Sequence, residues 1–169
     1  YCWGFFAENE ESNALYFDTC FIRGQNTPLH RADERHTGST FLMLDLDHDT
    51  VQDLLLGDVD FPGLFALHNS GDRETAVILS ADTNFPTTSE RVHLFSFPVA
   101  EYIDVDNNNT KDLLVSSFEP GLETARSSKS VWWYKNTGIN EKPFFMIEQK
   151  DFLQGEMIDR GSGAYPALH

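Results

Sequence analysis

Asp45, Asp47, Asp49 and Asp53 stand at positions 1, 3, 5 and 9 of the stretch LDLDHDTVQDLLLGD, which runs from Leu44 to Asp58. Carboxylates this close repel one another unless a cation lies between them. A hard, oxygen-seeking divalent ion, Ca²⁺ before any other, answers that repulsion. A solvated acidic turn is the plainer reading of a lone charge run. The pattern, however, occurs twice. Asp104, Asp106, Asn108 and Asp112 occupy the same positions in YIDVDNNNTKDLLVSS, 59 residues further on. A step of this size is a mark of repeat architectures. Side chains at positions 1, 3 and 5 would each give one oxygen, position 7 its carbonyl, and position 9 both carboxylate oxygens. With a water, these fill a shell of about seven oxygens, an ordinary one for Ca²⁺. Two Ca²⁺ sites are therefore expected. The first comprises Asp45, Asp47, Asp49, the Val51 carbonyl and Asp53; the second comprises Asp104, Asp106, Asn108, the Thr110 carbonyl and Asp112. An EF-hand is excluded, because its bidentate glutamate at position 12 is replaced by Leu56 and Val115.

The elements that must position these loops repeat with them. Each acidic loop runs straight into a short apolar strand, and an apolar, aromatic run ending in Asn-x-Gly follows. These runs are LFALHNSG, ending at Asn69 and Gly71, and VWWYKNTG, ending at Asn136 and Gly138. The second copy is longer by a loop at Pro120 to Lys129, a kind of insertion that loops absorb cheaply. Strands are expected at Trp3 to Phe6, Leu15 to Phe17, Phe41 to Leu44, Asp53 to Leu56, Leu64 to Leu67 and Thr75 to Leu79. Further strands are expected at Val92 to Phe97, Val99 to Ile103, Leu113 to Ser116, Val131 to Tyr134 and Pro143 to Ile147. Aromatic and β-branched residues dominate, and no stretch keeps a helical period, so the class is all-β. Stacked copies of a roughly 60-residue, four-strand unit suggest a partial β-propeller of short antiparallel blades.

Composition narrows the function. The formal net charge of -15 argues against nucleic acid or an anionic membrane as partner. No apolar run approaches the roughly 18 residues of a membrane span. The opening at Tyr1, without methionine or signal-peptide pattern, suggests a processed chain or part of a longer one. Cys2 and Cys20 are candidates for a disulfide, which would agree with an oxidising, Ca²⁺-rich exterior; two reduced, buried cysteines are the alternative. Catalysis is not expected. His30, His36, His48, His68 and His93 are scattered, with neither a nucleophile elbow nor a metal-type spacing. Glu10 and Glu11 read as a solvated turn. Trp132 and Trp133 point to opposite faces of their strand, so one of them can serve the core while the other meets a ligand such as a sugar.

DLDHDTVQDLLLGD and DVDNNNTKDLLVSS resemble the VCBS/FG-GAP repeat, the Asp-rich Ca²⁺-binding blade of integrin-α-type propellers. VWWYKNTG, the PFF after it and GSGAYP resemble the corresponding parts of secreted bacterial repeat proteins. The resemblance implies an N-terminal partial blade over residues 1–35, a first blade over 36–98, and a second blade over 99–169 that leads into a third. It further implies a secreted or cell-surface, non-catalytic segment for cell adhesion or ligand recognition, with an extracellular protein or glycan as partner. A recognition or scaffold domain of an extracellular polysaccharide-degrading enzyme is the alternative. One departure stands out. The family places glycine at position 6, where this chain has Thr50 and Asn109; asparagine tolerates a left-handed backbone and a β-branched threonine does not.

Overall fold

The computed structural model describes residues 3–8, 12–19, 38–94, 97–117 and 129–157. Within them the chain forms β1 (Phe6–Glu8), β2 (Leu15–Phe17), β3 (Ser39–Leu44), β4 (Asp53–Asp58), β5 (Leu64–Asn69) and β6 (Ile78–Asp82). It continues through β7 (Pro98–Ile103), β8 (Asp112–Ser117), β9 (Val131–Asn136) and β10 (Phe145–Gln149). The all-β expectation holds. Among the described residues, no helix is long and apolar enough to cross a membrane.

Three antiparallel sheets result: the hairpin β1-β2, and two four-stranded meanders ordered β3-β4-β5-β6 and β10-β9-β8-β7. The Leu54–Leu56 run shows why the meanders pack as they do. Side chains alternate across a strand, so Leu55 turns towards the second meander while Leu54 and Leu56 turn the other way, and all are buried. On the side of Leu55, Leu44, Leu64 and Ala66 join Ala100, Leu113, Val115, Trp132, Tyr134 and Phe145 in one core between the meanders. On the other side, Leu54, Leu56, Phe65, Leu67 and Ile78 are covered by Phe6, Leu15 and Phe17 of the hairpin and by Phe61. Phe61 stacks on Phe65 at 4.2 Å between ring centroids. Fully burying each such side chain contributes about 1.5–3 kcal/mol. Strand β9 alternates cleanly, with Trp132, Tyr134 and Asn136 buried and Trp133 half-buried on the opposite face.

The meanders meet where β7 runs against β3 and β4. Gly57 makes this possible: a Cβ there would lie 2.0 Å from the Pro98 carbonyl oxygen and 2.5 Å from Thr40 Oγ1. In its absence Thr40 Oγ1 donates to that carbonyl at 2.6 Å. The outer edges are covered too. Ile78 at the start of β6 donates its amide to the Gly4 carbonyl at 2.8 Å. Along β10, Thr88 Oγ1 donates to the Phe145 carbonyl at 2.7 Å, and the Ile147 amide donates to Ser89 Oγ at 2.9 Å.

The partial-propeller expectation is corrected. The sheets hold two, four and four strands, all are open, and none closes into a circular blade. Among the described residues of the N-terminal segment, β1 and β2 pair and lie over the first meander. Alternation and turn signals report which strands pair; they do not report whether the sheets arrange into a ring. Val92 to Phe97 is expected as a strand; its described residues, 92–94 and 97, lie in no strand. The Val92 amide donates to the Phe85 carbonyl at 2.9 Å, and the Leu94 amide to that of Pro62 at 2.8 Å. Strand β6 begins at Ile78, later than expected, because Asp72 Oδ1 accepts the amides of Glu74 and Thr75 at 2.8 and 2.7 Å and fixes a turn there.

Candidate metal site

The loop between β3 and β4 brings Asp45, Asp47 and Asp49 together, with one carboxylate oxygen from each lying within 4.8 Å of the others. Asp45 is buried and the other two are exposed. Like charges about 4 Å apart cost about 1 kcal/mol per pair even in water, and more where water is excluded. The backbone already answers part of that cost. Asp45 Oδ1 accepts the His48 amide at 2.7 Å and Oδ2 the Thr50 amide at 3.0 Å. Asp47 Oδ1 accepts the Asp49 amide at 3.2 Å, and Asp49 Oδ1 the Val51 amide at 2.7 Å. To aim these amides inward, His48 and Thr50 take φ of 75° and 72°. In the second loop Asn107 and Asn109 take φ of 58° and 71°.

The unusual backbone at position 6 is therefore present in both loops, and Thr50 pays for it. A left-handed conformation costs an L-residue roughly 1–2 kcal/mol, and asparagine tolerates it better than a β-branched residue. Thr50→Asn copies the second loop and is expected to raise stability by about 1 kcal/mol. Equilibrium urea unfolding checks this; a midpoint at or below that of the parent would show no strain at Thr50.

Asp53 and Asp112, the expected position-9 ligands, are both buried. Asp53 Oδ2 accepts the Leu46 amide and Oδ1 the Asn69 amide, both at 2.8 Å. Burial pushes the Asp53 carboxyl above the usual carboxylate range, against the lowering pull of those amides. Asp112 Oδ1 accepts the Asn136 amide at 2.8 Å, and its Oδ2 accepts Trp133 Nε1 at 3.0 Å. The asparagines complete the brace. Asn69 Oδ1 accepts the amides of Gly71 and Val77 at 3.0 and 2.9 Å, and its Nδ2 donates to the Gln52 carbonyl at 3.2 Å. Asn136 repeats this with Gly138 and Phe144, both at 2.9 Å, and with the Lys111 carbonyl at 3.0 Å. Each Asp–Asn pair thus ties its acidic loop to the following hairpin turn. The Asn-x-Gly runs signalled these residues as register marks without revealing what they hold.

In the second loop, Asp104 Oδ1 and Oδ2 accept the amides of Asn108 and Asn109 at 3.0 and 2.8 Å. Asn108 Oδ1 accepts the Thr110 amide at 2.7 Å. Asp106 is paired with Lys135, Nζ to Oδ2 at 2.6 Å. This hydrogen bond holds the Asp106 carboxyl below and the Lys135 ammonium above their ordinary values. Nothing in the local sequence marks Lys135 as a partner; it reaches the loop from β9, on the far side of β8. Cys2, Cys20, Glu10, Glu11, His30 and His36 lie outside the described residues. His48, His68 and His93 are exposed.

No protein-family model, no curated protein and no solved structure matches the chain. The likeness to VCBS/FG-GAP repeats and to integrin-α-type proteins is corrected accordingly. It rested on two Asp-rich loops, and open sheets without ring closure do not carry it further. The adhesion and enzyme-scaffold functions drawn from that likeness fall with it. The fold and the loop define an all-β domain with, among the described residues, one acidic cluster, Asp45, Asp47 and Asp49, able to hold a divalent cation.

Proposed function

We propose that this is a non-catalytic, Ca²⁺-dependent all-β domain of the extracellular space, in which the first acidic loop is held in shape by Ca²⁺. The observation that carries the reading is the convergence of three carboxylates within 4.8 Å, one of them buried. Their donor set is all oxygen, which suits Ca²⁺ over softer metals and tolerates an irregular shell better than Mg²⁺ does. At ten times the dissociation constant, Ca²⁺ would add roughly 1.4 kcal/mol of stability. For a domain of this size that raises the melting temperature by about 3–5 °C. The rise is expected with Ca²⁺, much less with Mg²⁺, and not at all in Asp47→Asn. Identical melting curves in EGTA and in millimolar Ca²⁺ would sink the proposal.

A cleft beside the same loop supports a second reading, concerning the partner. It has a volume of about 400 Å³ and is lined by Trp3, Met43, Gln52, Arg73 and Glu74 next to Thr50 and Val51. An exposed indole among amide, guanidinium and carboxylate groups is suited to stack on and hydrogen-bond a glycan. Binding on a glycan panel, lost in Trp3→Ala, is the expected result. A panel without a binder, or binding indifferent to Trp3, would refute it.

A further inference from the structure

We propose that the second acidic loop is neutralised from within the chain: the Lys135 ammonium takes the place there that an ion from solution takes in the first loop. For the first loop this rests on the Ca²⁺ reading above; for the second it stands on its own geometry.

The two loops share left-handed residues at positions 4 and 6 and the Asp–Asn brace, so their differences are informative. Lys135 immediately precedes Asn136, and the residue in the same place before Asn69 is His68. Lys135 Nζ reaches the position-3 carboxylate, Asp106, at 2.6 Å. His68 reaches no position-3 carboxylate; its Nδ1 lies 3.8 Å from Asp53 Oδ1, and the ring is half exposed. The loops also differ in charge. The first has Asp49 at position 5, where the second has the neutral Asn108. Three carboxylates converge in the first loop, a charge that calls for a divalent ion. The second has only Asp104 and Asp106 at positions 1 and 3, a charge that a single ammonium goes far to match. A tethered ammonium also has an advantage over a dissolved ion, because its effective concentration at the loop does not depend on the medium.

The test is a calorimetric Ca²⁺ titration of the parent, Lys135→Met and Asp47→Asn. The parent is expected to take up a single ion, Asp47→Asn none, and Lys135→Met a second ion at the vacated loop. Tb³⁺ locates that second ion. Because Trp133 Nε1 lies 3.0 Å from Asp112, Tb³⁺ in the second loop is expected to gain indole-sensitised emission, which Trp133→Phe removes. A parent that already takes two ions overturns the inference and leaves the first-loop reading standing. A parent that takes none while Lys135→Met takes one does the reverse. Lys135→Met with the parent's stoichiometry overturns the inference. Should that variant not fold, amine acetylation of the unaltered protein decides. Lys135 is expected to react more slowly than the exposed Lys142, at a rate indifferent to Ca²⁺. Acceleration by Ca²⁺, or a rate equal to that of Lys142, overturns it.

Discussion

Asp53→Ala and Asp112→Ala, made separately, are each expected to lose about 3 kcal/mol of folding free energy in EGTA, with no metal present. The figure follows from what each carboxylate holds. Removing Asp53 strands the amides of Leu46 and Asn69; removing Asp112 strands the Asn136 amide and the Trp133 indole N–H. Leaving a buried donor unpaired costs about 1–3 kcal/mol, and each substitution strands two donors that lie in or at the edge of the interior. Asp47→Asn, in an exposed part of the same loop, is expected to change stability in EGTA by less than about 0.5 kcal/mol while removing the response to Ca²⁺. Urea unfolding with and without Ca²⁺ separates the two roles. Were Asp53→Ala to lose stability only when Ca²⁺ is supplied, the carboxylate would be a ligand and not a brace.

Gly57→Ala is the second large effect, expected to cost about 3 kcal/mol, at the upper end for one added methyl group. Most overpacked sites relax by turning a side chain. Here the atom in the way is the Pro98 carbonyl oxygen, 2.0 Å from where the Cβ would stand. Relief requires β7 to move away from β4. That movement would stretch the bond from Thr40 Oγ1 to Pro98 and open the core between the meanders at Leu64 and Ala100. Equilibrium unfolding gives the cost, and near-ultraviolet dichroism should report loosening around Trp132. A cost under about 1 kcal/mol would mean that the meanders slide past one another easily and that their contact at Gly57 is not tight.

How much of this could be read in advance depends on the distance over which each feature acts. The Leu54–Leu56 strand, the alternation of Trp132, Trp133 and Tyr134, and the matched acidic loops are local patterns, and the structure places them as the residues suggest. Even the left-handed backbone at Thr50 was visible as a residue unsuited to its position. The arrangement of the sheets was not legible, because the same antiparallel meanders and turn signals serve an open pair of sheets as well as a closed ring. Spacing offers Asp53 and Asp112 as ligands and says nothing of the amides they accept. Their amide partners at Asn69 and Asn136 lie on the neighbouring strand, and the pairing register delivers them. Lys135 and the hairpin over Leu54 and Phe65 were hidden for the same reason: both are contacts between segments whose local sequences say nothing of each other.

The hydroxyls of Thr88 and Ser89 have a consequence for how this chain behaves in company. An open sheet ends in a strand whose free amides and carbonyls can recruit another chain, the first step towards fibrils and intractable aggregates. Phe144 and Met146, both partly exposed, would make the β10 border attractive to such a recruit. By occupying the Phe145 carbonyl and the Ile147 amide, the two side chains interrupt the ladder an incoming strand would have to build. The open architecture therefore carries its own protection against polymerisation, supplied by a turn that takes no part in either acidic loop.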